Sequence, residues 1–181
     1  WKEGLVWTLY RRAGQWLEGG VDALERTRHD RQEKKKLVLG ILGSNYADEA
    51  DAHFQFMPER YFQMFDPKDI AGHMQLFRRF FQKRIDDDTV ALSPALHWEP
   101  HVDKGFTEVW VCGWDRPRLL ERIAGAFLSA RINILSADIF TRTDSLALDI
   151  FRLANTNLQP VTNQKDIVAV EKRLSEAMLT E

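Results

Sequence analysis

Thr107-Glu108-Val109-Trp110-Val111-Cys112-Gly113, followed by Trp114-Asp115-Arg116-Pro117-Arg118 and then Leu119-Leu120, is the stretch whose reading decides the fold. The first seven residues alternate with a period of two, place Val109 and Val111 on one face and are rich in strand formers. Asp115 is positioned to cap a following helix, and Pro117 suits a helix's opening turn. Leu119, Leu120, Ile123, Ala126, Phe127 and Ala130 recur at spacings of three and four, so a helix is expected from about Arg118 to Ala130. Its apolar stripe needs a sheet to cover. That sheet continues with Asn133 to Arg142 and Leu146 to Leu153, joined at the turn-forming Thr143-Asp144-Ser145. A last helix is expected from Lys165 to Met178, with Ile167, Val168, Val170, Leu174 and Met178 as its apolar face. The order is strand, helix, strand, strand, helix.

Upstream the pattern is helical. Leu5, Leu9, Ala13, Trp16 and Leu17 form one stripe, stopped by Gly19-Gly20. A second helix is expected from near Val21; its basic run, Arg26 to Lys36, is interleaved with Asp30 and Glu33 and has no aromatic stacking partners, the pattern of a solvated face. Asp48 to Phe56 and Pro58 to Phe65 read as short helices. Asp66 as cap and Pro67 at the first position open a third long helix, carrying Leu76, Phe77, Phe80 and Phe81 and expected to end near Arg84. Its Phe-rich face needs a partner, either the other helices or a further domain. The acidic Asp86-Asp87-Asp88 marks a linker, dividing a helical connector (1–85) from a second domain (86–181).

Length and charge exclude more than they assign. The 181 residues carry a formal net charge of -2, which makes no electrostatic case for nucleic acid or a membrane surface. The single cysteine, Cys112, has no partner for an internal disulfide and reads as a small buried residue. No apolar run reaches the length of a membrane span, and the cytoplasm is the default expectation. The chain opens at Trp1 inside a helical pattern, so it is expected to be a piece of a longer protein.

Catalytic and metal-binding residues are not expected. His29-Asp30 lacks the converging His and Asp ligands that a metal-dependent phosphohydrolase needs. His97 and His101 are four apart, but Pro94 and Pro100 argue against the helix that would align them. Gly43-Ser44-Asn45 lacks the acidic pair that follows a nucleotidyltransferase Gly-Ser motif, and neither a phosphate-binding Gly-Lys-Ser/Thr loop nor a serine nucleophile elbow is found.

The element order, with Trp114-Asp115-Arg116-Pro117-Arg118-Leu119-Leu120 and Arg131-Ile132-Asn133-Ile134, resembles the ACT family of small regulatory domains. That family typically carries Asp-Arg-Pro-Gly-Leu-Leu after its first strand and an Asn-Ile pair entering its second. More narrowly, Asp138-Ile139-Phe140-Thr141 and Ala147-Leu148-Asp149-Ile150-Phe151 resemble the first ACT domain of bifunctional uridylyltransferase/uridylyl-removing enzymes. Trp1-Lys2, Leu9-Tyr10-Arg11-Arg12, Tyr61-Phe62 and Asp66 to His73 resemble the helical connector of those enzymes, so the likeness covers nearly the whole chain. It implies an α+β fold: an N-terminal helical segment, then a ferredoxin-like βαββα domain whose fourth strand is missing. Thr89 to Ser93 is expected to add an N-terminal strand at the open edge, antiparallel to Thr107 to Gly113.

The resemblance also implies a function. These enzymes modify the PII nitrogen-signalling protein, using Mg2+ and UTP at sites upstream of this region, and their ACT region senses glutamine. Glutamine, PII, the parent's other domains and a homodimer mate are therefore the implied partners, with no cofactor held here. The implied effector site lies where the turn after the first strand meets the start of the second: Asp115, Arg116, Pro117, Arg118 and Leu119, with Asn133 and Ile134. Free N–H groups and the helix dipole near Pro117 to Leu119 suit a carboxylate, Asp115 an ammonium and Asn133 a side-chain amide. A structural alternative has Asp115 only capping and Asn133 only turning the chain. Arg118 departs from the family's Gly; it either blocks the pocket or pairs with a ligand carboxylate, and sequence does not choose. At the level of the whole domain, a purely structural pairing module and the ACT region of another amino-acid-controlled enzyme are the other readings.

Overall fold

Asp66 shows how the helical half is built. In a computed structural model describing residues 27–86 and 93–179, its Oδ1 accepts from the N–H groups of Lys68 at 2.8 Å and Asp69 at 3.0 Å. Those are donors with no intrahelical acceptor, so the carboxylate fixes the start of α4, Pro67–Asp86. Before it come α1 over 27–42, α2 (Ala47–Phe56) and α3 (Glu59–Met64). Gly43, at φ 90°, closes α1 with its N–H on the Leu39 carbonyl at 2.8 Å. Helix α4 runs to Asp86, past the expected stop at Arg84. An acid in a last turn costs only about 0.3–1 kcal/mol, too little to end a helix that its packing holds. The expected helix over Leu5 to Leu17 with its Gly19-Gly20 stop, the start near Val21, and residues 87–92 lie outside the described residues.

Four strands follow: β1 (Ala95–His101), β2 (Phe106–Trp114), β3 (Asn133–Thr141) and β4 (Leu146–Ala154), with α5 (Leu119–Ser129) between β2 and β3 and α6 (Gln164–Leu179) last. Their order is β1-β2-β4-β3, with all neighbours antiparallel. The strand beside β2 is thus Ala95–His101, which takes the edge place expected for Thr89 to Ser93, a segment of which residues 89–92 lie outside the described residues; the cause is local. The chain reverses through a 3-10 turn, Val102–Lys104, and Gly105 at φ 78°, so pairing starts at His101 opposite Phe106 and runs back to Ala95 opposite Cys112. Pro100 is tolerated because β1 lies at the edge of the sheet formed by the described residues.

Each face of the sheet is covered. Trp110, Cys112, Phe140, Leu148 and Ile150 meet Phe54, Tyr61, Met74, Phe77 and Phe80 of the first helices. Val109, Val111, Phe151 and Leu153 meet Leu119, Ile123 and Phe127 of α5 and Ile167, Val170 and Leu174 of α6. Eight of the nine residues of β4 are therefore buried. The partner of the Phe-rich face of α4 is the chain's own sheet. Leu120 and Val168, expected on buried stripes, are exposed, because a helix lying on a sheet buries a narrower arc than the full apolar pattern.

Candidate functional site

The turn after β2 is a reverse turn and not a helix cap. Leu119 donates its N–H to the Arg116 carbonyl at 3.1 Å, Pro117 occupies the second place, and Arg118 occupies the third at φ 66°, ψ 15°. This is the type II pattern, whose third place normally takes Gly or Asn. Helix α5 begins at Leu119 with Arg118 as its N-cap and no side-chain cap, which corrects two expectations: Asp115 does not cap α5, and Pro117 precedes the helix. The reason is positional: Asp115 stands three residues before the N-cap, and its own N–H is held by the Ser145 carbonyl at 2.8 Å.

Few of the expected amides remain for a ligand carboxylate at Pro117 to Leu119, since proline has none and that of Leu119 is engaged. Arg118 lies along the helix, its Nε 2.8 Å from Glu121 Oε2 and its Nη2 2.6 Å from Oε1. Asp115 and Pro117 are exposed, Arg116 is half-buried and Leu119 is buried.

Asn133 and Ile134 lie elsewhere. Trp114, just before the turn, pairs with Leu146 at one end of β4, whereas Asn133 pairs with Ala154 at the other. Eight residues of strand separate them, about 26 Å at 3.3 Å per residue. Asn133 donates from Nδ2 to the Asn155 carbonyl at 3.0 Å, and Ile134 is exposed beside it. One chain therefore does not bring the two halves of the expected site together.

Closer to the turn is a residue that sequence reasoning missed. Asp149 sits on β4 between Ala147 and Phe151, on the face covered by α5 and α6, opposite Val111 and Ile139. It is 2% exposed, and its Oδ1 has no hydrogen-bond partner. Burial, and then the nearby Asp115 carboxylate, push its pKa up to about 7. The turn thus carries one exposed acid, with a buried acid close by that is ready to take or lose a proton near neutrality.

The histidines weighed as metal ligands are dispersed. His29 lies on α1, while His97 and His101 lie on β1, where His97 packs 4.3 Å from the Trp110 ring and His101 packs 5.1 Å from Phe106. No group of three His, Cys, Asp or Glu side chains that could hold a metal ion occurs among the described residues. Nor does any helix among them have the length and apolarity to cross a membrane. Cys112 is fully buried, and burial pushes its thiol pKa up.

No family model matches this chain. It is 26% identical, over 181 residues, to the bifunctional uridylyltransferase/uridylyl-removing enzyme of Rhodospirillum rubrum. The alignment covers 98% of this chain and 18% of that enzyme, so the chain spans less than a fifth of the length of the curated relative it matches.

Proposed function

We propose that this chain is an ACT-type, glutamine-sensing regulatory segment of a PII uridylyltransferase/uridylyl-removing enzyme, with no catalytic site of its own. The likeness to that enzyme over 98% of the chain supports the parentage. The strand order supports the ACT reading, because β1 stands where the fourth strand of a ferredoxin-like sheet would lie. The observation that supports the sensing role is the turn at Arg118: it holds φ 66°, the positive φ that suits the Gly of the family it resembles, so the turn has that shape at a cost in strain. In this reading Mg2+ and UTP act at the parent's upstream sites, in the cytoplasm.

Glutamine then lies between two copies, at Asp115 to Leu119 of one and Asn133 and Ile134 of the other, because those halves are about 26 Å apart within one chain. Titration calorimetry of the purified chain with millimolar glutamine tests this. Asp115→Ala should weaken binding by about 1.5–3 kcal/mol, the usual worth of a hydrogen bond to a charged group. Since Asp115 caps nothing and its carboxylate repels that of Asp149, its replacement should not lower the melting temperature. Uridylyl transfer to PII, or its removal, by a pure metal-supplemented sample and lost on mutation within this chain would overturn the non-catalytic part.

One observation favours a second reading, a structural pairing module that binds no effector. Strand β3 is an outer strand among the described residues, and Ile134, Leu135 and Ile139 on it are exposed. Sedimentation separates the two readings: a dimer whose stability ignores glutamine supports pairing alone, and one tightened by glutamine supports sensing.

A further inference from the structure

Far from the turn, a groove of about 470 Å3 runs between α4 and β1, within the usual size of a binding site. Trp110 and Gly72 form its back: a Cβ on Gly72 would meet Cη2 and Cζ3 of the Trp110 ring at 3.0 Å, so this closeness of helix and sheet depends on the missing side chain. Four consecutive residues of β1, His97 to Pro100, line the groove. Side chains along a strand alternate between faces, so four in a row share one groove only where the strand's backbone edge forms part of the wall. Among the described residues β1 is an outer strand of the sheet, and an outer strand can pair with another chain.

The groove is polarised. His97 and Glu99, opposite Trp110 and Glu108, project toward α4 about 6.8 Å apart. At the Glu99 end stands Asp69, half-buried, whose pKa is raised by burial and by the carboxylates of Asp66, Glu108 and Glu99. Lys68 also lines this end, but its side chain is exposed. At the other end Arg79 faces His97, whose pKa is lowered by burial and then by that guanidinium, against the opposing pull of Glu99 and Glu108.

We propose that this groove takes an extended peptide segment of a partner protein, added to β1 as a fifth strand, with a basic side chain at the Asp69–Glu99 end and an acidic one two residues away at the Arg79–His97 end. Side chains two apart on a strand share a face and repeat at the same 6.8 Å or so, so one meets Glu99 and the other reaches His97, where the exposed Arg79 side chain supplies the charge. Pro100 has no N–H to give, so the new ladder draws on the residues before it. A segment bound there contacts α4 and the sheet at once, which makes it a clamp between the helical half and the strands.

The test uses the whole chain and a fluorescein-labelled peptide, Thr-Val-Lys-Val-Glu-Val-Thr, read by fluorescence anisotropy beside a neutral peptide with Gln at both charged places. The charged peptide should bind about tenfold or more tightly than the neutral one. Asp69→Asn with Glu99→Gln, and separately Arg79→Gln, should each weaken the charged peptide about threefold while the melting temperature does not fall. Hydrogen exchange at Leu96 to Glu99 should slow on binding. Equal affinity for the two peptides, no binding at millimolar concentration, or protection appearing on β3 in place of β1 would each overturn the proposal.

Discussion

The hydroxyl of Tyr61 lies 2.8 Å from Nδ1 of His73. His53 Nε2 is 3.0 Å from the same oxygen, so one phenol ties α2, α3 and α4 together. All three side chains are essentially inaccessible. A phenol has one proton, so it donates to one imidazole and accepts from the other. Tyr61→Phe keeps the ring but leaves two buried nitrogens unpaired, in addition to His53 Nδ1 and His73 Nε2, which already have no partner. At about 1–3 kcal/mol for each stranded group, the variant should lose at least about 2 kcal/mol in urea unfolding. A loss under about 0.5 kcal/mol would mean that ring packing alone carries the cluster.

The same cluster sets an acid limit. Burial holds the pKa of His53 well below 6.5 and brings that of His73 to about 3. Below pH 6.5 the unfolded chain takes up protons that the folded chain refuses, so stability falls as pH falls, by about 1.4 kcal/mol per unit for each histidine. Asp149 acts in the opposite direction. Its pKa rises from 3.8 to about 7, so in that window the unfolded chain loses a proton that the folded chain keeps, and stability falls as pH rises. Below pH 6.5 the histidines should therefore lose stability on acidification while Asp149 offsets part of the loss. Asp149→Asn should steepen the loss by about 1.4 kcal/mol per unit relative to the parent chain. Urea unfolding at pH 5 and 6.5 measures both slopes.

What was legible in the sequence was local. Asp66-Pro67 announces α4 because cap and first helical position are adjacent, and Thr143-Asp144-Ser145 announces the β3–β4 hairpin for the same reason. The added strand was misplaced because its position depends on the reversal at Val102–Gly105 and not on its own composition. The candidate site was gathered from two loops that the fold puts at opposite ends of the sheet. That separation follows from the parallel β2 and β3, since a crossover helix carries the chain back along the sheet. Asp149 reads as one polar residue in a strand, and only the layers on both faces make it a buried acid. His53, Tyr61 and His73 meet through the packing of three helices, which no short motif encodes.

Gly72→Ala should bring no gain in stability. In an open helix interior the change gains about 1 kcal/mol in propensity. Here the new methyl would sit 3.0 Å from Cη2 and Cζ3 of Trp110, a rigid ring that is itself buried and has His73 4.5 Å away on one side and His97 at 4.3 Å on another. Overpacking of that kind costs about 1–3 kcal/mol, so the sum should be zero to a loss of about 2 kcal/mol. Tryptophan emission should shift as the indole moves. Increased stability with unchanged emission would show that the α4–β2 contact is looser than this geometry.

Arg118→Gly distinguishes the two roles left open for that side chain. Its backbone holds φ 66°, a conformation that strains every residue with a Cβ and leaves glycine unstrained. Against that relief stands the loss of the Glu121 ion pair, in which both side chains are mostly exposed and which is therefore worth little. The melting temperature should rise by about 2–4 °C, the shift that a modest stabilisation gives in a chain of this size. The guanidinium is held by Glu121, one turn along α5, so glutamine affinity should be unchanged or higher in the glycine variant. Calorimetry of parent and variant side by side measures it. Weaker binding with the same rise in melting temperature would show that Arg118 leaves Glu121 to pair with the ligand's carboxylate.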